Sequence, residues 1–317
     1  MLESFDAKRV LVVGDSILDI TVSAEAIGLS LESPTLKTKR LSKKESFGGA
    51  ANVVKNMLEL GAKCTFITLL GDDEYKSYYD KWEHKNLTFV PIVESRQNTV
   101  KERYWVNRSG TEYKVLQINQ DSPHQLSKRS ESQLINMFAS FVHTFDVVVL
   151  VDYSKGVLST NLTKKLINIC NDEDIMVISS SQISDSTVDY GKFKNSSLIC
   201  MNKNELSSNL KHRSCKNVYE LAKDLKSDLC ITMGNEGSKL VTNAGEFFSR
   251  SINIQEVDPT GAGDSFLACL ALSDISKSPE ESLELSNIWA ALSVSKRSTD
   301  VITKEEFNNY ICLKNTK

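Results

Sequence analysis

The stretch Asp258-Pro259-Thr260-Gly261-Ala262-Gly263-Asp264 runs directly into the apolar segment Ser265–Leu272. Two glycines and an alanine let a backbone pass close to a ligand, and the amides that open a helix have no intrahelical partners. Such a junction makes an anion hole. A phosphoryl group in transfer carries its charge on equatorial oxygens, so Gly261, Ala262 and Gly263 are candidates to stabilise that charge. Asp264 follows them at the position of a general base, able to accept the proton of an attacking hydroxyl. The positive end of the helix dipole favours its ionised form, which a base needs. A plain strand-to-helix turn capped by an aspartate would use the same residues, so the chemistry depends on what surrounds them.

Two other stretches supply candidates. Val12-Val13-Gly14-Asp15-Ser16-Ile17-Leu18-Asp19 leaves an apolar strand. In an open α/β sheet ligands sit beyond the carboxyl ends of the strands, where Asp15 and Asp19 could accept hydrogen bonds from sugar hydroxyls. Gly48-Gly49-Ala50-Ala51-Asn52 opens a helix with two glycines and an asparagine one turn in. That allows close approach to a polyol and supplies both a donor and an acceptor. A structural turn remains open for the first, and a simple helix junction for the second. Neither GxxxxGK[ST] nor GxGxxG occurs, which argues against a P-loop enzyme or a dinucleotide oxidoreductase.

These residues need a scaffold. Arg9–Val13, Thr65–Leu70, Val147–Val151, Ile175–Ile178, Leu198–Met201 and Leu229–Met233 are apolar almost throughout, as strands buried on both faces are. Between them, Ala50–Leu60 stops at Gly61 with Val53, Val54, Met57 and Leu60 on one helical face, and Ser127–Phe141 starts on a serine cap. The alternation predicts an α/β fold, a doubly wound and mostly parallel sheet. Ser33–Phe47 and Thr99–Asn119 instead mix β-branched or aromatic residues with Lys, Arg and Glu, so they predict exposed strands of a small lid on a single domain spanning residues 1–317.

Composition narrows the function. The 317 residues carry 38 Lys+Arg against 41 Asp+Glu, a formal net charge of -3, so no basic surface for nucleic acid is expected. The longest apolar run, Phe266–Leu272, is far below the roughly 20 residues that cross a bilayer. Met1–Arg9 lacks an apolar leader core, and a cytoplasmic location is expected. The cysteines, at 64, 170, 200, 215, 230, 269 and 312, form no CxxC pair, and the histidines form no metal-ligand spacing.

Taken in order, the three glycine-bearing stretches resemble the ribokinase-like (PfkB) carbohydrate kinases. DPTGAGD at 258–264 and GGAAN at 48–52 carry the likeness, and within that family SLESPT at 30–35, TVKERY at 99–104, VDYSKGVL at 151–158 and MNKNEL at 201–206 are similar to the heptose 7-phosphate kinases. The resemblance implies an ATP- and Mg²⁺-dependent kinase whose base is Asp264, with Asp19, Gly48, Gly49, Asn52 and Asp15 on sugar hydroxyls. It implies Asn202 and Glu205 near the phosphates, Glu205 organising Mg²⁺ through water. It also implies Thr232, Gly234 and Gly237 along the nucleotide loop and Asn287 beside the adenine. Lys101, Arg103 and Lys155 would meet the phosphate of a sugar phosphate. The implied reaction is phosphorylation of heptose 7-phosphate to the 1,7-bisphosphate by a homodimer. A kinase for another sugar or nucleoside, or a regulator that binds without catalysis, are the alternatives. The chain departs from the pattern at Ser179-Ser180-Ser181-Gln182, where the heptose kinases have Asp-Pro-Lys, at Pro259, and at Lys296-Arg297-Ser298-Thr299-Asp300. It contains no HxGH motif of a nucleotidylyltransferase.

Overall fold

The apolar runs become the middle of a large sheet in a computed structural model that describes residues 5–108, 110–122, 125–181, 189–296 and 300–315. The first half of the chain forms β1 (Arg9–Gly14), β2 (Ser16–Leu29), β3 (Leu36–Gly49), helix α1 (Ala50–Glu59), β4 (Lys63–Gly71), α2 (Lys76–Asp80), β5 (Leu87–Glu94), β6 (Val100–Arg108) and β7 (Thr111–Gln120). Next come α3 (Lys128–Phe141), β8 (Val147–Asp152), α4 (Thr160–Asp172), β9 (Met176–Ser181), β10 (Leu198–Asn202), α5 (Lys203–His212), α6 (Val218–Leu225) and β11 (Asp228–Thr232). The chain continues through β12 (Ser238–Thr242), β13 (Gly245–Ser249), α7 (Ala262–Leu272), α8 (Pro279–Ser293) and α9 (Lys304–Asn315).

The large sheet has the order β13-β12-β11-β10-β9-β8-β1-β4-β5. It is parallel from β11 to β5, and only the pairs β11–β12 and β12–β13 are antiparallel. Successive residues of a strand face opposite sides. Val10 and Val12 therefore pack under α1, α7 and α8, while Leu11 and Val13 pack under α3 and α4. Burial on both faces is why these strands read as unbroken apolar runs. Ser127 caps α3 as the sequence predicts, its side chain accepting from the Ser130 amide. The predicted strand at 175–178 runs on to Ser181, and Ser179, Ser180 and Ser181 are all buried. Gln182 and the Arg297–Thr299 part of the second divergent stretch lie outside the described residues.

A second sheet, of four strands in the order β3-β2-β6-β7, stands apart from the first. The sequence reading supplies segments for β3, β6 and β7; the structure adds β2. That strand hides in the sequence because Leu18, Ile20 and Val22 are buried with Val100 in a small core of their own, so its start reads as apolar as a central strand. Its other face carries Asp19, Thr21 and Ser23, in register with Lys101, Arg103 and Trp105 of β6. This polar face holds the predicted residues of the small sheet.

Candidate active site

The elements meet where β1 ends. The chain leaves β1 through Asp15 and Ser16 into β2, returns along β3, and enters α1 at Gly48-Gly49. A Cβ on Gly48 would come within 2.2 Å of Asp19 Oδ2, and Gly49 sits at φ 62° with Asp15 O only 2.5 Å from where its Cβ would be. The two glycines are what allow α1 to start against β2. The Ala50 amide then donates to Asp15 O at 2.9 Å, which fixes the helix start.

Asn52, one turn into α1, reaches across to α7. Its Nδ2 donates to Asp264 Oδ2 at 2.9 Å, while the Tyr153 hydroxyl donates to Oδ1 at 2.6 Å. Asn52 is itself braced: Asn56 Nδ2 donates to its carbonyl at 2.8 Å, and Trp289 Nε1 of α8 donates to Asn56 Oδ1 at 2.8 Å. Asp264 is 3% exposed. Burial pushes its carboxyl up to about 6, against the opposing pull of the Tyr153 and Asn52 hydrogen bonds, with the Asp19 charge adding to the rise and the Lys101 charge opposing it. A carboxyl of this kind is ionised at neutral pH yet basic enough to take a proton.

α7 begins at Gly261, whose φ of 84° is left-handed. The Ala262 amide turns back onto Pro259 O at 3.2 Å and the Thr260 amide onto Asp258 Oδ1 at 3.0 Å. Of the three amides proposed from sequence for an anion, that of Ala262 is thus already used within the turn.

The two aspartates that leave β1 part company. Asp19 is buried and ion-paired with Arg103 Nη1, side chains 4% and 13% exposed. Asp15 turns the other way: Oδ2 accepts from the amides of Tyr153 (2.8 Å) and Lys155 (3.0 Å), and Oδ1 from Val157 (2.9 Å). Burial and the nearby Asp152 charge push the Asp15 carboxyl up to about 6, and the three amides pull against them. Asp15 therefore holds the 153–157 loop, both its oxygens engaged by backbone amides. Arg103 is likewise committed to Asp19 rather than presented as a bare cation. Lys155 Nζ pairs with Asp121 at 2.9 Å. Lys101 lies over the Tyr153 ring, 5.9 Å from its centroid, and burial lowers its affinity for a proton.

The residues expected along the nucleotide line a separate cavity of about 220 Å³, whose walls include Thr232, Gly234, Gly237, Asn287, Ala262 and Gly263. Asn287 Nδ2 is tied to Ser249 O at 3.0 Å. Asn202, register partner of Thr232, caps α5: its Oδ1 accepts from the Asn204 and Glu205 amides, both at 2.9 Å, and Glu205 Oε2 accepts the Asn202 amide at 2.8 Å. The Oδ1 of Asn202 is thereby engaged by the helix start. Glu205 is buried, and burial raises its carboxyl. Among the described residues, no group of three or more His, Cys, Asp or Glu could hold a metal ion. A single carboxylate still suits Mg²⁺, which keeps its waters and takes further oxygens from substrate phosphates. Lys192 reaches the end of β8, where its Nζ lies 2.5 Å from Asp152 Oδ2, and it donates to Leu158 O at 3.0 Å.

Sequence reasoning missed Tyr153 as a functional residue. It lies within the quoted stretch VDYSKGVL, yet nothing local announces a contact 111 residues away.

The profile of the pfkB family carbohydrate kinases matches residues 7–305. The chain is 31% identical over 305 residues to the bifunctional protein HldE of Campylobacter curvus, covering 91% of this chain and 62% of that protein. It is 28% identical over 321 residues to HldE of Sulfurimonas denitrificans, covering 98% and 65%. The chain thus spans less than two thirds of the length of these relatives. In fold it is similar to phosphofructokinase-2 from Escherichia coli in complex with potassium, with TM-score 0.74 at 16% identity, covering 95% of this chain and 97% of that one. It is also similar to Arabidopsis thaliana ribokinase complexed with ribose and ATP, with TM-score 0.70 at 16% identity, covering 95% and 98%.

Proposed function

Because the chain belongs to the pfkB family of carbohydrate kinases, we propose that it transfers the γ-phosphoryl group of ATP to a hydroxyl of a sugar phosphate, heptose 7-phosphate going to the 1,7-bisphosphate. One observation carries the reading: the buried Asp264 carboxyl directly follows Ala262 and Gly263, which line the cavity, and is hydrogen-bonded to Asn52 and Tyr153 while feeling the charges of Asp19 and Lys101 on the small sheet. Donor and acceptor would meet at that carboxyl.

In this reading Asp19, held by Arg103, accepts hydrogen bonds from acceptor hydroxyls, and the small sheet serves as the lid. Lys101 meets the acceptor's phosphate. The amides of Gly261 and Gly263 face the moving phosphoryl group, and Asp264 takes the hydroxyl proton late in a loose transition state. Glu205 would hold Mg²⁺ through water; when bound, that ion neutralises charge on the β- and γ-phosphoryl oxygens. Positioning supplies most of the acceleration.

A base that must be ionised predicts the pH profile. With its carboxyl near 6, Asp264 becomes mostly protonated below that pH, so kcat/KM should fall about tenfold per unit below about 6 and level off above it. The deciding experiment follows ADP formation with heptose 7-phosphate, fructose 6-phosphate, ribose and adenosine as acceptors. Preference for the heptose phosphate supports the reading; preference for a neutral sugar or nucleoside rejects it, and ATP binding without ADP formation on any acceptor favours a binding regulator.

The small sheet also supports a homodimer. Ile27, Leu29, Leu41, Tyr113 and Val115 are each at least 50% exposed on it, and such a surface calls for a cover. A second copy of the chain fits it. Equilibrium sedimentation should give a mass near twice the monomer's 35.4 kDa; a monomer at micromolar concentration rejects the pairing.

A further inference from the structure

The base is not alone in its pocket. Both oxygens of Asp264 accept hydrogen bonds from elements far away in sequence: Oδ2 from Asn52 on α1, and Oδ1 from the hydroxyl of Tyr153 on the loop after β8. These two donors fix the carboxylate plane and leave its other lone pairs directed elsewhere. The Tyr153 contact, at 2.6 Å, has the length of a charge-assisted hydrogen bond. The loop that bears Tyr153 is itself fixed, because Asp15 accepts from the amides of Tyr153, Lys155 and Val157. Lys101 lies over the same ring.

We propose that Tyr153 is the positioning residue of the catalytic base: its hydroxyl orients Asp264 and holds it ionised, while its ring seats Lys101 for an anionic acceptor. The role rests on the reading of Asp264 given above. Two functions then sit on one side chain, and they separate chemically. The hydroxyl acts on the proton transfer, and the ring acts on acceptor binding. The loop thus ties the base to the cation that would select a phosphorylated sugar.

The groups facing Asp264 set the sign of the test. Tyr153 and Asn52 donate to it and favour the anion, Lys101 favours the anion by charge, and Asp19 opposes it. Removing the hydroxyl alone must raise the carboxyl's midpoint. In ligand-free protein labelled at the aspartate carboxyl carbons, with the Asp264 signal assigned by its loss in Asp264→Asn, Tyr153→Phe should raise the Asp264 titration midpoint by about one unit. Tyr153→Ala also lets water reach the carboxyl, which opposes the rise, so its midpoint should move up less than that of Tyr153→Phe. In turnover, Tyr153→Phe should move the acid limb up by the same interval with acceptor KM unchanged. Tyr153→Ala should in addition raise KM for a phosphorylated acceptor about tenfold, as loss of the Lys101 seat requires. An unmoved midpoint in Tyr153→Phe overturns the proposal, as does an equal KM in Phe and Ala variants. If the wild-type protein phosphorylates no acceptor, the functional reading fails, and the carboxyl titration still decides whether Tyr153 controls Asp264.

Discussion

Replacing Asp264 by Asn should lower turnover by about 10² to 10⁴ while leaving the fold and ATP binding in place. The magnitude follows from the division of labour at the site. In the proposed mechanism in-line transfer relies on positioning and charge stabilisation, so the amides at the start of α7 and the cavity beside them would still act in the variant. What disappears is the acceptor for the hydroxyl proton. Asn preserves the shape and can still accept one of the two hydrogen bonds that Tyr153 and Asn52 now donate to the carboxylate. Calorimetric titration of ATP should be unchanged and single-turnover phosphoryl transfer slow. Unchanged turnover would remove Asp264 from the mechanism.

The same substitution has a stability signature of opposite sign. The Asp264 carboxyl is raised by burial from 3.8 to about 6, so folding favours its protonated form. Stability from this group is fully present below about 4 and is lost as pH rises through about 6. Asn carries no such loss. The variant's stability relative to the wild type should therefore improve from pH 4 to pH 7, by at most about 3 kcal/mol. Urea unfolding at the two pH values measures it. A site that weakens the protein in order to keep a buried carboxylate ready is the expected cost of a base in a dry pocket.

Asp19→Ala should lower kcat/KM for the sugar acceptor by about 10², chiefly through KM, because a hydrogen bond to a charged group contributes about 1.5–3 kcal/mol. Two consequences accompany the loss. Arg103, 13% exposed in its side chain, is left buried without its carboxylate, and breaking such a pair is strongly destabilising. Asp19 also helps to hold the Asp264 carboxyl up, so its removal should move the acid limb of the pH profile downward. Asp19→Asn separates these effects, since it removes the charge but keeps a partner for Arg103. If Asp19→Ala changes neither the acceptor KM nor the acid limb, the small sheet does not carry the sugar.

The sequence alone determined the parallel sheet, several of its helices and the glycine-bearing stretch that marks the family. These are local properties. A strand buried on both faces must be apolar along its length, as Val147–Val151 is, and a helix start shows its cap, as Ser127 does. DPTGAGD is legible for the same reason, because the backbone freedom and the carboxylate it needs lie within seven adjacent residues. Asp15 and Asp19 look interchangeable by that logic, four residues apart on the same exit from β1. Only the tertiary structure separated them: β8 lies beside β1 and brings the amides of 153–157 to Asp15, whereas β6 lies beside β2 and brings Arg103 to Asp19. It likewise drew Tyr153 onto Asp264 and placed β2 in the small sheet. Sequence pattern reports how a residue meets water and its near neighbours. Which distant group it faces depends on sheet order, which no single stretch of chain encodes.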